Sequence, residues 1–212
     1  MAYKLYFFPD NASLAPHMLL RELAVPFDLA LVDRKEDAQH SPDYLRLNPH
    51  GRIPVLVDGD LVLYEAAAIM LHLADRHPDA GWSPPLGSPR RAQLYKWLIY
   101  LTNTLQAEMM LWFYPQRFTD DPNGAPAVKA AMGRRIAAIF AHLADELSDR
   151  PYLLDETISI ADLYLFMLAY WGYGLAPPAL ELPALRRFAA RIAVRPAVRA
   201  TFAAEGINLP PA

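Results

Sequence analysis

The chain has 212 residues, a formal net charge of −3 and no cysteine. The missing cysteine excludes disulfides, thiolate nucleophiles and cysteine-ligated metal sites, and the scattered basic residues argue against nucleic acid as a partner, since phosphate binding needs a clustered basic face. The length allows one large domain or two modest ones.

The first third of the chain predicts alternating strands and helices. Residues 3–8 alternate weakly and end at Pro-Asp-Asn, which indicates a strand followed by a loop. Apolar residues at helical spacing predict a helix over residues 16–24, which Val25-Pro26 ends. Residues 27–32 predict a second strand, and a short helix is expected around Tyr44.

The segment Gly-Arg-Ile-Pro-Val-Leu-Val, at residues 51–57, places a proline at the start of a strand. Proline donates no hydrogen bond to a sheet. We therefore expect a cis Ile53–Pro54 peptide that leaves the backbone of Ile53 open to an extended peptide; a trans proline at a sheet edge is the alternative. Asp58-Gly59 predicts a hairpin that pairs residues 55–57 with 61–63.

Glu65 follows this hairpin directly and begins a predicted helix over residues 65–76. The resulting order, βαβ and then ββα, is that of a thioredoxin-like half-domain, which we assign to residues 1–78. Four prolines and two glycines between residues 78 and 89 cannot sustain a helix or strand, so we assign residues 79–89 to a linker.

After the linker the pattern is helical throughout, and we assign residues 90–212 to an all-helical domain. Helices are predicted over residues 90–111, 127–147, 160–170, 185–194 and 197–205. Ser159 and Asp162 form a capping-box pattern at the start of the third of these, with Ile158 and Leu163 as its hydrophobic staple. A catalytic role for Asp162 is the alternative, but capping accounts for the residue without chemistry.

The start of the chain, its longest apolar stretch and its histidines predict the cellular compartment and the metal content. The chain starts without a recognisable export signal, and the apolar stretch over residues 160–175 is shorter than a membrane span requires. We therefore expect a cytoplasmic protein that does not cross a membrane. The six histidines lack an HExxH pattern or clustered acidic ligands, so we expect no metal site.

Several short motifs, each weak alone, are specific in their order and spacing. They are Tyr-Lys-Leu-Tyr-Phe at residues 3–7, Ala-Ser-Leu-Ala-Pro-His at 12–17, Asn-Pro-His-Gly at 48–51, the Pro54 and Glu65 pair, and Leu-Ala-Asp at 73–75. Through these motifs the chain resembles the cytosolic glutathione transferases, most closely the bacterial beta-type enzymes. The resemblance implies a thioredoxin-like domain that binds glutathione as co-substrate, a helical-bundle domain that lines an electrophile site, a homodimer and a role in detoxification.

The resemblance also implies which residues hold glutathione. The backbone of Ile53 and Pro54 would grip the cysteinyl unit, and Glu65 would hold the γ-glutamyl amine; the ordinary alternative for Glu65 is a carboxylate favoured by the helix dipole. Relatives carry a hydroxyl at the position of Ala66, so backbone N–H groups must do more here and weaker affinity is expected. The groups expected near the glycine carboxylate are Arg52, His50 and Lys35.

Transfer requires the glutathione thiol, with a pKa near 8.5, to ionise close to neutral pH. Beta-type relatives carry cysteine at Ala12, and the strand tyrosine of other classes corresponds to Phe7, so both donors are missing here. Ser13, just before the first helix, is the best remaining hydroxyl and Asn11 is second; Ser13 as a simple helix cap is an equal alternative.

For the second substrate, Asn103, Gln106, Met110 and Phe113 lie three or four residues apart on the predicted helix. Relatives carry histidine at Gln106, so a titrating base is replaced by a hydrogen-bonding amide. We expect Gln106, Met110 and Phe113 to line a pocket for small apolar electrophiles, with core packing as the ordinary alternative. Two other functions remain open: a non-catalytic binding or interaction protein with this fold, and a glutathione-dependent disulfide reductase.

Overall fold

A computed structural model describes residues 2–210 of the chain. Its sheet has the order β2-β1-β3-β4, in which β1 and β2 are parallel and the other neighbouring pairs are antiparallel. The strands are β1 (Tyr3–Phe7), β2 (Phe27–Leu31), β3 (Val55–Asp58) and β4 (Leu61–Tyr64). This mixed sheet, followed by a helical second half, confirms the predicted fold class: a thioredoxin-like N-terminal part and a C-terminal helical part.

The α-helices lie close to their predicted positions. They are α1 (Leu14–Glu22), α2 (Pro42–Leu47), α3 (Ala66–Arg76), α4 (Pro89–Tyr100), α5 (Ala107–Phe113), α6 (Ala125–Glu146), α7 (Ile160–Trp171), α8 (Pro183–Ala193) and α9 (Pro196–Glu205). The first begins at Leu14, two residues earlier than predicted, because Pro16 is tolerated within the first turn of a helix.

The described chain divides into two compact units. Of the described residues, 2–83 and 192–210 form the first unit, and Pro84–Arg191 form the second. The helix α9 therefore groups with the sheet and packs against α1. Since this grouping follows contacts rather than independent folding, the domain boundaries at residues 78 and 90 stay a prediction.

The sheet of the first unit is covered on both faces. Along β1, Tyr3, Leu5 and Phe7 are buried on one face. On the other face the half-buried ring of Tyr6 packs edge-to-face on Tyr44 of α2, with 5.9 Å between ring centroids. This alternation follows from the two-residue side-chain period of a strand.

The long helix predicted over residues 90–111 is present, but a π-helical segment, Leu101–Gln106, interrupts its α-geometry between α4 and α5. The hydroxyl of Thr102 donates to the carbonyl of Leu98 at 3.0 Å, so this carbonyl is shared with a side chain where the segment begins. A π turn holds an extra residue. The predicted spacing between Asn103 and Gln106 therefore does not carry over to one common face.

The capping box of α7 is confirmed. The Asp162 carboxylate accepts the backbone N–H of Ser159 at 2.8 Å and its hydroxyl at 2.9 Å, and its other oxygen accepts the N–H of Leu153 at 2.8 Å. Burial raises the pKa of Asp162 to about 6, against the lowering effect of these hydrogen bonds. The residue is thus fully accounted for by structure.

Candidate active site

The predicted glutathione-binding residues of the first unit follow or precede strands at one end of the sheet. Because β1 and β2 run opposite to β3, the loops after β1 and β2 lie at the same end as the segment that enters β3. The antiparallel pairing of Val55 with Tyr64 puts Pro54 and Glu65, the next residues outward, at that end as well. Topology alone therefore gathers Asn11, Ser13, Lys35, His50, Arg52, Ile53, Pro54, Glu65 and Ala66.

Two side-chain hydrogen bonds fix the segment that enters β3. The peptide between Ile53 and Pro54 is cis, as predicted. The carbonyl of Arg52 accepts two hydrogen bonds, from the Tyr44 hydroxyl and from Nδ2 of Asn48, both at 2.8 Å. Within residues 2–210, no hydrogen bond occupies the backbone N–H or C=O of Ile53, which leaves both groups available to a ligand.

Gly51 is required for the turn that enters this segment. Its φ is +58°, in the left-handed region that favours glycine. A Cβ at this position would lie 2.6 Å from the ring of His40. The loop can therefore close over the His40 ring only with glycine here.

Glu65 has a backbone conformation that is unusual for a residue with a side chain. Its φ is +73° and its ψ is +109°, which costs on the order of 1–3 kcal/mol for a non-glycine residue. Its exposed carboxylate neither caps α3 nor forms a hydrogen bond with any described residue. Such an outlier with an unused charged group favours a ligand-binding role over the dipole interpretation.

The remaining predicted contacts differ in burial. Ala66 is buried at the first position of α3, where the N–H groups of the first turn lack intrahelical partners. Arg52, His50 and Lys35 are exposed, and the ring of His50 lies edge-on to Tyr64, with 5.9 Å between centroids. Each of the three can approach a carboxylate from solvent.

Ser13 and Asn11, the two residues predicted to donate a hydrogen bond to the thiolate, differ in whether a donor N–H or O–H is still free to do so. Ser13 is fully buried, and its hydroxyl donates to the carbonyl of Phe8 at 3.2 Å instead of capping α1. Asn11 is only half-buried, and its Oδ1 accepts the N–H of Ala12 at 2.9 Å. This bond orients the amide, and Nδ2 has no hydrogen-bond partner among the described residues.

A buried triad that the sequence did not reveal fixes the loop carrying these donors. Nε–H of Arg21 donates to Nε2 of His17 at 3.0 Å, so the histidine proton resides on Nδ1, which donates to Oε1 of Glu205 at 2.8 Å. The second oxygen of Glu205 accepts the N–H of Asp10 at 3.1 Å. One carboxylate of α9 thereby ties α1 to the loop after β1.

In the second unit, Gln106 is anchored rather than free to rotate. The hydroxyl of the buried Tyr164, on α7, donates to its Oε1. Met110 and Phe113 follow at helical spacing in α5; Met110 is half-buried and Phe113 is 37% exposed. The Phe113 ring lies edge-on to Trp112 and Trp171, with centroid distances of 5.0 and 6.4 Å.

Sequence reasoning missed several residues that position the site. Asn48 carried a weak signal, because an asparagine three residues before glycine often folds a turn with its side chain. Tyr164 and Glu205 carried none, since their partners lie 58 and 188 residues away along the chain, and His17 was noted only as part of the motif at residues 12–17.

The described residues include neither a metal-binding cluster nor a helix able to span a membrane. No group of three or more histidine, aspartate or glutamate side chains in residues 2–210 could hold a metal ion. Within the same residues, every helix is too short or too polar to cross a bilayer.

Models of two protein families match the chain. The glutathione S-transferase N-terminal domain matches residues 1–75, and the glutathione S-transferase C-terminal domain matches residues 104–196. Together the two matches span most of the chain.

Individual glutathione S-transferases are also similar to this chain in sequence and structure. The chain is 32% identical to glutathione S-transferase GstA of Escherichia coli O157:H7, over 97% of the chain and all of that protein. A sphingomonad glutathione S-transferase complexed with glutathione is 33% identical with a TM-score of 0.84, covering 97% of this chain and 100% of that one. A beta-class enzyme of Sphingomonas chungbukensis is 32% identical with a TM-score of 0.85 over the same shares.

Proposed function

This chain belongs to the glutathione S-transferase family, and from that premise we propose that the amide of Asn11, with neighbouring backbone N–H groups, activates the thiol of glutathione. The protein is a glutathione transferase, and glutathione is its co-substrate. The observation that carries the proposal about Asn11 is the oriented and unused Nδ2 at the end of the sheet that holds the proposed glutathione-binding residues.

A thiolate is stabilised by hydrogen-bond donors that point at the sulfur. Asn11 supplies two such N–H bonds on Nδ2, whereas the single proton of Ser13 is already donated to Phe8. The start of α1 adds the positive end of a helix dipole. We therefore propose Asn11 before Ser13 as the donor to the thiolate. Ser13 would instead stabilise the loop through its hydrogen bond to Phe8.

Replacing Asn11 by alanine should lower kcat/KM for chlorodinitrobenzene by about 10- to 100-fold, since a hydrogen bond to a charged group contributes roughly 1.5–3 kcal/mol. The pKa of the enzyme-bound thiol, followed by thiolate absorbance against pH, should rise in parallel. Ser13→Ala should change both quantities less than Asn11→Ala while lowering the melting temperature more.

Asn11→Asp is the matched control, because it keeps the Oδ1 acceptor for Ala12 but removes the donor. It should raise the thiol pKa at least as far as Asn11→Ala does, because its carboxylate also repels the thiolate. If Ser13→Ala instead raises the thiol pKa while both Asn11 variants leave it unchanged, the donor is Ser13 and the ranking is reversed.

We also propose which residues bind the other parts of glutathione. The open backbone of Ile53, beside Pro54, would pair with the cysteinyl unit, and Glu65 would accept the γ-glutamyl amine. N–H groups at Ala66 and the start of α3 would bind the γ-glutamyl carboxylate, since a helix N-terminus favours an anion. The exposed Arg52 would meet the glycine carboxylate, with His50 and Lys35 as secondary groups.

The electrophile would bind on the face of α5 formed by Gln106, Met110 and Phe113. A polarizable thioether and a partly exposed aromatic ring suit small apolar molecules. We also propose a cytoplasmic homodimer with a role in detoxification. Exposed apolar side chains in each unit support the dimer: Leu61 and Val62 on β4, and Tyr95 and Ile99 on α4.

Ile99→Glu tests the dimer. Ile99 is 59% exposed, one helical turn from Tyr95, and a charge buried in an interface strongly disfavours association. Light scattering should give twice the chain mass for the wild type and a larger monomer fraction for the variant. Val194→Glu, at a side chain 56% exposed, is the control and should remain dimeric. A monomeric wild type at micromolar concentration would contradict the proposal.

A further inference from the structure

The loop that carries Asn11 is fixed by a residue of α9. Oε2 of Glu205 accepts the backbone N–H of Asp10 at 3.1 Å. Asp10 has a φ of +54°, a left-handed conformation that few residues with a side chain adopt. The next residue, Asn11, is held from its other side, because its carbonyl accepts the N–H of Leu14 at 2.9 Å. The hydrogen bond from Asp10 therefore helps to set where the Asn11 amide lies.

The other oxygen of Glu205 fixes the carboxylate itself. Oε1 accepts Nδ1–H of His17 at 2.8 Å, and both side chains are fully buried. The His17 ring lies edge-on to Phe7 and Phe27, with centroid distances of 6.2 and 5.7 Å, which restricts its rotation. Both oxygens of Glu205 thus serve as acceptors, one for a side chain of α1 and one for the loop.

Arg21 determines which nitrogen of His17 carries the proton. A guanidinium has donors only, and Nε–H of Arg21 donates to Nε2 of His17 at 3.0 Å. Nε2 is therefore the acceptor, and Nδ1 keeps the proton that it donates to Glu205. Donors converge on Glu205 from His17 and from Asp10, so this position needs a side chain with two acceptor oxygens.

We propose that Glu205 is a positioning residue for the activation of glutathione. Arg21 and His17 keep it as a double acceptor, and it holds Asp10 so that the Asn11 amide next in the chain points at the sulfur. Glu205 and His17 are buried and act through this loop rather than on glutathione. The inference rests on the proposed role of Asn11 and adds the residues that support it.

This pattern of protons gives Glu205→Gln a defined fault although the side chain keeps its shape. The amide has one acceptor oxygen and places N–H bonds where the second oxygen was, so it meets either Asp10 or His17 donor against donor. His17 could accept from the amide only by moving its proton to Nε2. Nε–H of Arg21 already occupies that side of the ring.

Glu205→Gln should raise the pKa of the enzyme-bound thiol by about 0.5 to 1, as followed by thiolate absorbance against pH. At a pH below that pKa, kcat/KM for chlorodinitrobenzene should fall by about 3- to 10-fold. Both effects should be smaller than those of Asn11→Ala, because the donor is displaced rather than removed.

A second substitution should reverse the fault. In Arg21→Met combined with Glu205→Gln, His17 is free to carry its proton on Nε2 and to accept from the glutamine amide, whose oxygen then accepts from Asp10. The thiol pKa of this double variant should return towards the wild-type value. Arg21→Met alone should raise it less than Glu205→Gln does.

Glu156→Gln is the matched control, because it makes the same change at an exposed glutamate. It should keep the wild-type thiol pKa and melting temperature. Heteronuclear NMR of the imidazole nitrogens in the wild type should show the His17 proton on Nδ1, a result that requires no variant to fold.

A His17 proton on Nε2 in the wild type would overturn the inference, and so would a double variant with the same thiol pKa as Glu205→Gln. An unchanged thiol pKa in Glu205→Gln, beside a raised one in Asn11→Ala, would also overturn it while leaving the proposed donor in place. No rise in Asn11→Ala would instead contradict the donor.

Discussion

Removing the carboxylate of Glu65 should weaken glutathione binding by about 10- to 100-fold, the largest effect on ligand affinity that we expect from one substitution. The group is exposed and unused by the described protein, so its loss would remove the charge-assisted hydrogen bond to the γ-glutamyl amine that we propose, a bond of roughly 1.5–3 kcal/mol. Calorimetric titration of Glu65→Ala with glutathione measures the change directly.

Two further variants separate the carboxylate from the backbone. Glu65→Gly also lacks the carboxylate but accepts a φ of +73° without strain. It should bind glutathione as weakly as Glu65→Ala while being more stable by about 1 kcal/mol. Asp60→Ala, an exposed acid at the hairpin turn on the far end of the sheet, should bind normally. Full affinity in Glu65→Gly would show that the backbone conformation, and not the charge, is what glutathione requires.

Asp162→Ala should lower the free energy of unfolding by about 2–4 kcal/mol at neutral pH. The substitution leaves the buried N–H groups of Ser159 and Leu153 without their acceptor, and each such loss costs roughly 1–3 kcal/mol. Relief of the buried charge offsets part of this cost. Urea titration at fixed protein concentration gives the value, and Asp149→Ala, at an exposed acid, should change it by less than about 0.5 kcal/mol.

The same comparison has a defined pH dependence. The pKa of Asp162 is about 6 in the folded protein and near 3.9 when unfolded, so the folded state binds the proton more tightly. Its contribution to stability is therefore complete below pH 4 and falls as the pH rises to 6, by an amount on the order of 3 kcal/mol. The difference between wild type and Asp162→Ala should thus be larger at pH 4 than at pH 7. A difference that grows with pH would contradict the assignment.

Local signals in the sequence were sufficient for much of the fold. Asp58-Gly59 predicted the hairpin, Ser159 and Asp162 predicted the start of α7, and Pro54 predicted the cis peptide. Each of these features involves residues within a few positions of one another, so a local pattern was enough to predict it.

The remaining features depend on contacts that a linear pattern does not contain. The π-helical segment arises where Thr102 shares the Leu98 carbonyl, and this residue pair is compatible with an ordinary helix as well. The preference for Asn11 over Ser13 became visible only when the Ser13 hydroxyl was found donating to Phe8. Sequence alone ranked the two by residue type, whereas the proposed order depends on the burial and hydrogen bond of Ser13.

The carboxylate of Glu205 has a consequence for how the protein matures during translation. It accepts the N–H of Asp10 from 195 residues further along the chain. A ribosome therefore releases the whole sheet and most of the helices before the loop bearing Asn11 receives its last hydrogen bonds. Nascent chains arrested before α9 should fold much of their secondary structure yet lack the finished loop that bears Asn11, so we expect partial synthesis products to bind glutathione more weakly than the complete polypeptide.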